Sequence, residues 1–235
     1  MSRLLMSWSS GKDGALALHR LQQQGEHEVV GLLTTLVEPG ETVGMHGTAR
    51  GLVERQAAEL GLPLHTVAIR ATPDPHGAGA HSPEALAAAE DYARVMTVFL
   101  NEQKEQGVEG VVFGDIFLED LRAQREAKLA TVGLSAVFPL WGGDTAELSR
   151  ELVVSGLSAV TICIDTEKIP RELLGHVVDD WFLDALPAGV DPCGENGEYH
   201  SFVFDSPGFA APIDYTLGED VSDDGRFVRR ELLLA

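Results

Sequence analysis

Apolar segments alternate with helical stretches along residues 1–139, and this alternation constrains the fold more than any other feature of the sequence. Candidate strands lie at residues 4–8, 28–35, 64–69, 110–113 and 136–138. Between them, helices are expected at about 13–24, 48–61, 82–106 and 118–132. Strands that alternate with helices are typical of a parallel sheet with helices on both faces. The pattern therefore predicts an α/β domain over residues 1–139.

The character of the sequence changes after Pro139. The expected elements are helices at about 144–155, 170–174 and 176–186, strands at 159–164 and 199–204, and a terminal hairpin of 215–217 and 227–234. The hairpin would turn around Asp223, Asp224 and Gly225, which are residue types common in turns. These elements predict a second, smaller domain with both helices and strands over residues 140–235. No flexible linker precedes it, so we expect it to pack closely against the first domain.

The chain is strongly acidic: 17 lysine and arginine residues against 37 aspartate and glutamate residues give a formal net charge of -20. A surface of this charge repels nucleic-acid backbones and anionic membranes. The sequence lacks the roughly 20 consecutive apolar residues that cross a bilayer. Its first apolar run ends at Trp8, too short for a signal peptide. We therefore expect a cytoplasmic protein that binds neither nucleic acid nor membrane, and its two cysteines, Cys163 and Cys193, suit a reducing compartment.

The stretch SWSSGKDG at residues 7–14 stands between the first predicted strand and the first predicted helix. Backbone N–H groups of a tight loop and of a helix's first turn converge there, and the helix dipole adds partial positive charge. Lys12 supplies a full charge, so the stretch favours an anion such as phosphate. An ordinary turn with a surface lysine is the alternative.

The same stretch does not fit a Walker A motif, GxxxxGK[ST]. Asp13 follows Lys12 where Ser or Thr would hold Mg²⁺, and Met6 stands where the first glycine belongs. The stretch resembles instead the PP-loop, the SGGKDS-type signature of ATP pyrophosphatases, which cleave ATP between its α- and β-phosphates. Two residues depart from that signature: Ser10 replaces a glycine, and Gly14 replaces the final serine, whose hydroxyl would touch phosphate.

Further stretches extend this resemblance over most of the chain. They are GLLTTL with MHGTAR at 45–50, FGDIFLEDLRAQRE at 113–126, FPLWGGDT at 138–145 and DPCGENGEYHSFVFD at 191–205. On these motifs the chain resembles the diphthine–ammonia ligase family, also described as adenine-nucleotide α-hydrolase-like proteins, and most of all its bacterial branch. The resemblance implies that the first domain is of the HUP type, with a five-stranded parallel sheet in the order 3-2-1-4-5.

In that order, strands 1 and 4 lie side by side at the topological switch point, where open α/β sheets bind ligands. The loops after Trp8 and Phe113 would then face one crevice, with Asp115 as a ligand of Mg²⁺ or a group that positions the acceptor. For Asp115 the alternative is a helix cap. Arg122 could pair with Glu119, or Arg122 and Arg125 could instead contact the polyphosphate or an adenylate. The resemblance places nucleotide contacts at Ser7, Ser9, Ser10, Gly11, Lys12, Asp13, Gly14, His46, Gly114 and Arg122.

The stretch GENGEYH at residues 194–200 is the other dense run of polar side chains. Residues two apart on an extended chain project to the same side, so Glu198 and His200 are expected to face one cleft. We expect this loop to fold over the crevice that bears Asp115, although a plain surface turn is the alternative. Cys193, just before it, is expected to be a packing residue because no basic residue stands beside it in sequence, and a nucleophile is the alternative. The expected catalytic residues are Lys12, Asp115, Glu195, Glu198 and His200.

The resemblance implies an ATP- and Mg²⁺-dependent ligase. A carboxylate would take AMP from ATP, pyrophosphate would leave, and ammonia would attack the activated acyl group to give an amide. The acceptor would be a small molecule or a modified residue that carries a carboxylate, and a homodimer is compatible with the sequence. Two alternatives stay open: an ATP- or AMP-binding sensor without turnover, which Gly14 favours, and a simple nucleotide hydrolase.

Overall fold

The structure, a computed structural model, describes residues 1–38, 42–44, 47–70, 83–222 and 225–235. Its helices are α1 (Lys12–Gln24), α2 (Arg50–Leu60), α3 (Pro83–Glu105), α4 (Glu119–Val132), α5 (Thr145–Val154) and α6 (Asp180–Ala185), with a 3₁₀ turn at Arg171–Leu173. Its strands are β1 (Ser2–Ser7), β2 (His27–Glu38), β3 (Thr42–Val43), β4 (Thr48–Ala49), β5 (Leu64–Arg70), β6 (Gly110–Val112), β7 (Ser135–Val137), β8 (Ser158–Asp165), β9 (Tyr199–Asp205), β10 (Tyr215–Ser222) and β11 (Phe227–Leu234). His46 and the turn residues Asp223 and Asp224 lie outside the described residues.

Five parallel strands form the main part of the seven-stranded first sheet, in the spatial order β5-β2-β1-β6-β7. Numbered along the chain as the five predicted strands, this is the order 3-2-1-4-5, so the predicted α/β class and strand order are confirmed. Leu5 on β1 pairs with Gly31 on β2 and with Val111 on β6, and it is fully buried. Because β1 and β6 are neighbours, the loops that follow them open at the same edge of the sheet.

The ribbon of β3 and β4 is a feature that the sequence pattern did not predict. β2 continues to Glu38, beyond the end of β1, and its last residues pair with β3, Leu36 lying opposite Val43. β4 pairs with β3 and leads directly into α2. Each strand of the ribbon has only two residues, too few to show a strand period. The ribbon places Thr48 close to the loop that follows β1.

The helices bury apolar stripes against the sheet. α1 buries Leu16, Leu18 and Leu21 and ends at Gly25. Gly25 has a φ of 66°, the left-handed conformation that favours glycine at helix ends, so the predicted stop is confirmed. Across the ranges that the structure describes, no helix has both the length and the apolar composition to span a membrane.

The second sheet is antiparallel, with the strand order β10-β11-β8-β9. The terminal hairpin predicted from the sequence is confirmed as β10 and β11. In the middle of the sheet, β8 is buried along almost its whole length. At its edge, β9 carries the residues that follow the GENGEYH loop.

The helix predicted at 176–186 is too long. Only Asp180–Ala185 is helical, because the residues before it run along β8, where Val177 forms an isolated bridge with Val160. The helix begins where the side chain of Asp179 caps it by accepting a hydrogen bond of 2.9 Å from the backbone N–H of Phe182.

One hydrophobic cluster joins the two sheets. It contains Met6 and Leu16 from the first sheet and its helix, together with Ala159 and Val203 from the second sheet. The backbones are also linked, since the N–H of Val203 donates to the carbonyl of Ser10 at 3.0 Å. The two halves of the chain therefore pack closely, as expected, while a domain boundary near residue 139 stays a prediction.

Candidate active site

Residues 7–14, the stretch expected to bind phosphate, form the connection between β1 and α1 together with the first turn of α1. We call them the phosphate loop. The helix begins at Lys12, and its N-cap residue, Gly11, provides no side chain to cap the first turn. The backbone N–H groups of that turn and the positive end of the helix dipole therefore meet at the carboxyl edge of the sheet. This arrangement suits an anion.

Ser10 has a φ of 73°, and it is the residue that replaces a glycine of the PP-loop signature. A side chain in this left-handed conformation costs on the order of 1 kcal/mol relative to glycine. The buried Ser10 hydroxyl offsets this cost because it shares a hydrogen bond of 2.8 Å with the hydroxyl of Thr48. The loop therefore keeps the conformation that a glycine would adopt there, and the serine ties it to β4.

Lys12 is 3% exposed. Its Nζ lies 2.8 and 2.9 Å from the carboxylate oxygens of Asp13, donates to the carbonyl of Cys193, and lies 4.9 Å from the centre of the Tyr199 ring. Burial by itself would lower the pKa of Lys12, but the charge and hydrogen bond of Asp13 together with the contributions of Tyr199 and Cys193 outweigh it, and the pKa lies above the usual value for lysine. Lys12 therefore stays charged although it is buried.

Asp115 lies in the loop after β6, at the same edge of the sheet as the phosphate loop. Its side chain forms an ion pair with Arg125, whose Nε lies 2.8 Å from Oδ2 of Asp115. Burial raises the pKa of Asp115, and the charge of Arg125 opposes that rise. Asp115 does not cap α4, since the N-cap residue of that helix is Leu118.

Gly114 allows the loop after β6 to approach the phosphate loop closely. A Cβ atom at Gly114 would lie 2.8 Å from the backbone C of Asp13 and from the backbone N of Gly14. We expect Gly114→Ala to lower the free energy of unfolding by about 1–3 kcal/mol, because backbone atoms cannot move aside cheaply. Chemical denaturation followed by circular dichroism measures this loss.

The matched control for that substitution is Gly14→Ala, in the first turn of α1, which faces Gly114. A Cβ atom at Gly14 would lie 3.5 Å from Cε of Met6, which is ordinary van der Waals contact. Alanine also has a higher helix propensity than glycine, so this variant should be as stable as the wild type or more stable by up to about 1 kcal/mol. Equal losses in the two variants would contradict the close approach at Gly114.

Glu195 brings a carboxyl group to the same crevice from the loop before β9. Its Oε1 accepts a hydrogen bond of 2.8 Å from the N–H of Ile116, and its own N–H donates to Asp191 at 2.7 Å. Burial raises the pKa of Glu195 to about 7, an effect that the Ile116 hydrogen bond opposes and the carboxylates of Asp13 and Asp115 reinforce. Glu195 therefore exchanges a proton near neutral pH, as a general acid or base does.

Glu198 and His200 do not face one cleft, in contrast to the expectation from their spacing. β9 begins only at Tyr199, so the alternation of side chains does not extend back to Glu198. The buried Glu198 has its Oε1 at 3.3 Å from Nδ2 of Asn196 and 3.8 Å from Nζ of Lys168, and it does not line the cavity that His200 lines. His200 does line the crevice, and burial lowers its pKa to about 4, so its imidazole is uncharged at neutral pH.

A cavity of about 420 Å³ connects these groups. Ten of the residues expected from the sequence line it: Ser7, Ser9, Gly11, Lys12, Asp13, Gly14, Gly114, Asp115, Glu195 and His200. Tyr199 and Ser201 complete its wall on β9. The loop from the C-terminal half of the chain therefore lies at the crevice that bears Asp115, where the sequence placed it.

A second cavity, of about 480 Å³, adjoins the first. The residues that line both are Ser7, Phe113, Leu121 and Arg125. The rest of its lining is largely apolar and includes Leu33, Tyr92, Met96, Leu100 and Leu129. The guanidinium of Arg125 lies 4.2 Å from the centre of the Phe113 ring at the junction. A polar cavity and an apolar one therefore meet beside the phosphate loop.

Of the two arginines that the sequence allowed at the polyphosphate, Arg125 lies at the cavity and Arg122 does not. Arg122 pairs with Glu126 at 2.7 Å instead of Glu119, and its guanidinium lies 4.6 Å from the centre of the Trp141 ring. It lines neither cavity. The two arginines are three residues apart on one helix, so their spacing alone could not distinguish them.

Sequence reasoning also missed Tyr199 and Ser201, which line the cavity on either side of His200. The only signal for them was their position in the GENGEYH stretch and just after it. Cys193 is buried as expected, and burial raises the pKa of its thiol to about 12. Its contribution to the site is its carbonyl, which accepts the hydrogen bond from Lys12.

Comparison with known proteins gives two family models that match the chain. The model described as the diphthamide synthase N-terminal domain matches residues 2–136, and the one described as the diphthamide synthase C-terminal domain matches residues 144–224.

Individual relatives agree with these matches. A diphthine–ammonia ligase from Danio rerio is 31% identical over 179 residues, which are 73% of this chain and 69% of that protein. A diphthine–ammonia ligase from Rattus norvegicus is 28% identical over 91% of this chain and 82% of that protein. A solved structure from Methanocaldococcus jannaschii, described as a predicted subunit of tRNA methyltransferase, has a TM-score of 0.41 at 16% identity and covers 68% of this chain and 80% of its own. Since the two family models together span nearly the whole chain, the chain belongs to the diphthamide synthase family.

Proposed function

We propose that this chain is an ATP-dependent ligase that activates a carboxylate with ATP, releases pyrophosphate, and joins ammonia to the activated acyl group. The observation that carries the proposal is the cavity onto which the phosphate loop and Glu195 both open. The relatives named diphthine–ammonia ligase support the same chemistry. Diphthine is therefore the first acceptor to test, within the wider class of small molecules or modified residues that carry a carboxylate.

ATP fits the two adjoining cavities. The triphosphate would lie in the polar cavity, against Lys12 and the first turn of α1. The adenosine would lie in the apolar cavity, where Tyr92, Phe113 and Met96 offer aromatic and apolar contacts. The α-phosphate joins these two parts of the nucleotide, and it would lie near Arg125, which lines both cavities.

The carboxylates that line the polar cavity fit a Mg²⁺ ion that is bound together with the phosphates of ATP. Mg²⁺ is usually held by one or two protein carboxylates, with waters and substrate phosphates as the other ligands. Asp13, Asp115 and Glu195 line the cavity, whereas no group of three or more His, Cys, Asp or Glu within the described ranges is arranged to hold a metal by itself. Asp115 is the proposed ligand. The ion would supply positive charge against the phosphates and the leaving pyrophosphate.

Glu195 is the group best suited to move a proton when ammonia attacks. A proton leaves the nitrogen as the new C–N bond forms and the C–O bond to AMP breaks. Glu195, with a pKa of about 7, is partly ionised near neutral pH and can accept that proton. His200, with a pKa of about 4, is a much weaker base. We therefore assign proton transfer to Glu195 and contact with the acceptor to the neutral imidazole of His200.

In this proposal the two halves of the chain have different roles. Residues 1–139 bind ATP, and residues 140–235 supply the acceptor side of the site. The net charge of -20 disfavours a nucleic-acid acceptor, which basic residues would have to bind. A cytoplasmic location and a homodimer stay predictions.

A nucleotide sensor without turnover is the second candidate function, and Gly14 favours it. The signature's serine hydroxyl is missing there, although the space beside Gly14 would admit a side chain. A sensor would bind ATP in the same cavities and leave it intact, so the two proposals differ in products and not in binding.

The products of ATP decide between the candidates. With ATP, Mg²⁺, ammonium and a diphthine-bearing protein, we expect AMP and pyrophosphate in equal amounts, together with an amide on the acceptor. Anion-exchange chromatography measures the nucleotides and mass spectrometry the amide. ADP and phosphate alone would indicate a hydrolase, and ATP binding without any product would indicate the sensor.

A further inference from the structure

Gln56 is a fully buried side chain on α2, and the chemistry described above does not use it. We propose that Gln56 is a positioning residue that fixes the phosphate loop against β9 and thereby places the polyphosphate of ATP relative to His200. The inference rests on the proposed function, because it deepens the account of how ATP is held.

The carboxamide of Gln56 joins three segments of the chain. Its Oε1 accepts a hydrogen bond of 2.8 Å from the indole N–H of Trp8, at the end of β1. Its Nε2 donates to the carbonyl of Ser10 at 3.1 Å and to the carbonyl of Val203 at 2.7 Å. Both amide hydrogens and the oxygen are therefore used, and a flipped amide would face Ser10 and Val203 with an acceptor instead of a donor.

These contacts lie where the phosphate loop meets β9. The N–H of Val203 donates to the carbonyl of Ser10 at 3.0 Å, and the N–H of Lys12 donates to the Ser201 hydroxyl at 3.2 Å. The residues on both sides of Gly11 are thus tied to β9, the strand that presents His200 to the cavity. A displacement of this junction would shift the phosphate-binding amides relative to the acceptor side.

The conformation of Ser10 shows why the loop needs a fixed support. A residue in the left-handed region persists only where its surroundings hold it there. The carbonyl of Ser10 accepts hydrogen bonds from both Gln56 and Val203, and these fix the peptide that leads to Gly11. Without Gln56, that peptide keeps one of the two restraints.

Gln56→Met tests this role, because methionine has a similar length but makes none of the three hydrogen bonds. We expect the dissociation constant of α,β-methylene-ATP to rise about tenfold or more, since small displacements at a binding loop are costly. The dissociation constant of adenosine, which would occupy the apolar cavity alone, should stay unchanged. Titration calorimetry measures both, and thermal unfolding measures stability. A merely structural role would lower the melting temperature and leave both dissociation constants as they are.

Thr161→Val is the matched control. Thr161 is also fully buried, and its hydroxyl donates to the carbonyl of Leu173 at 2.6 Å, but it lies on β8 and lines neither cavity. This variant should unfold at a lower temperature and bind both ligands as the wild type does.

Trp8→Phe keeps the proposal testable where Gln56→Met does not fold. It removes the indole donor that orients Gln56, together with one ring of a buried side chain, and it should weaken α,β-methylene-ATP binding in the same direction by a smaller factor. Unchanged affinity for this analogue in a folded Gln56→Met or Trp8→Phe variant would overturn the positioning role. Equal losses for the analogue and for adenosine would overturn it too. Failure of the wild-type protein to bind the analogue would instead overturn the proposed function, and the role of Gln56 with it.

Discussion

A Lys12→Met variant should bind ATP about 100-fold more weakly than the wild-type protein, because a buried, charge-assisted hydrogen bond to phosphate contributes roughly 1.5–3 kcal/mol. In the structure the ammonium of Lys12 contacts the carboxylate of Asp13 and the carbonyl of Cys193. A triphosphate would take the place of Asp13 as its partner. Methionine keeps most of the apolar stem of the buried Lys12 side chain, so we expect the variant to fold.

Titration calorimetry with α,β-methylene-ATP and Mg²⁺ measures this loss, and Lys104→Met is the control. Lys104 also donates a hydrogen bond from Nζ, to the carbonyl of Val132 at 2.7 Å, but it lines neither cavity. Its replacement should leave the affinity as it is. Unchanged affinity in a folded Lys12→Met variant would remove the loop between β1 and α1 from the ATP site.

The parallel strands of the first sheet could be predicted from the sequence because they read as short apolar runs between helical stretches. β1 is an example: Leu4, Leu5 and Met6 are all buried. The order of the strands came from the family resemblance and not from the apolar pattern. The ribbon of β3 and β4 could not be predicted, since two-residue strands carry no period.

The helix predicted at 176–186 shows how tertiary pairing overrides a local pattern. Its apolar residues recur at helical spacing, but the backbone N–H of Val178 donates to the carbonyl of Ala159 on β8 at 2.8 Å. The backbone N–H of Thr161 adds to this pairing by donating to the carbonyl of His176 at 2.9 Å. Bonds to a strand that is distant in sequence are not visible in an eleven-residue window.

For the site, the sequence located the loops but not the orientation of their side chains. The two loops meet because topology brings the ends of β1 and β6 together. Whether Glu195 or Glu198 points into the crevice depends on the turn between these two residues. Gly194 and Gly197 have φ values of 67° and 79°, so the chain reverses around Glu195, and strand alternation cannot be counted back from His200 to Glu198.

Glu195→Gln should separate activation of the acceptor from the attack of ammonia. Glutamine can still accept the hydrogen bond from the N–H of Ile116, but it cannot take up a proton. We expect ATP–pyrophosphate exchange to persist, while amide formation falls about 100-fold or more. In the wild-type protein, amide formation per free ammonia should rise as pH increases to about 7, because the raised pKa of Glu195 keeps it protonated below that value. The variant should lose this dependence on pH.

Glu198→Gln is the matched control, because it makes the same change three residues further along the same loop. Glu198 is buried beside Asn196 and Lys168 and does not line the cavity, so this variant should lose stability and keep its rate of amide formation. The opposite result, with activity lost at Glu198 and kept at Glu195, would transfer the proton-accepting role to Glu198. Loss of pyrophosphate exchange together with amide formation in Glu195→Gln would mean that this carboxylate serves ATP, because a base for ammonia acts only after pyrophosphate has left.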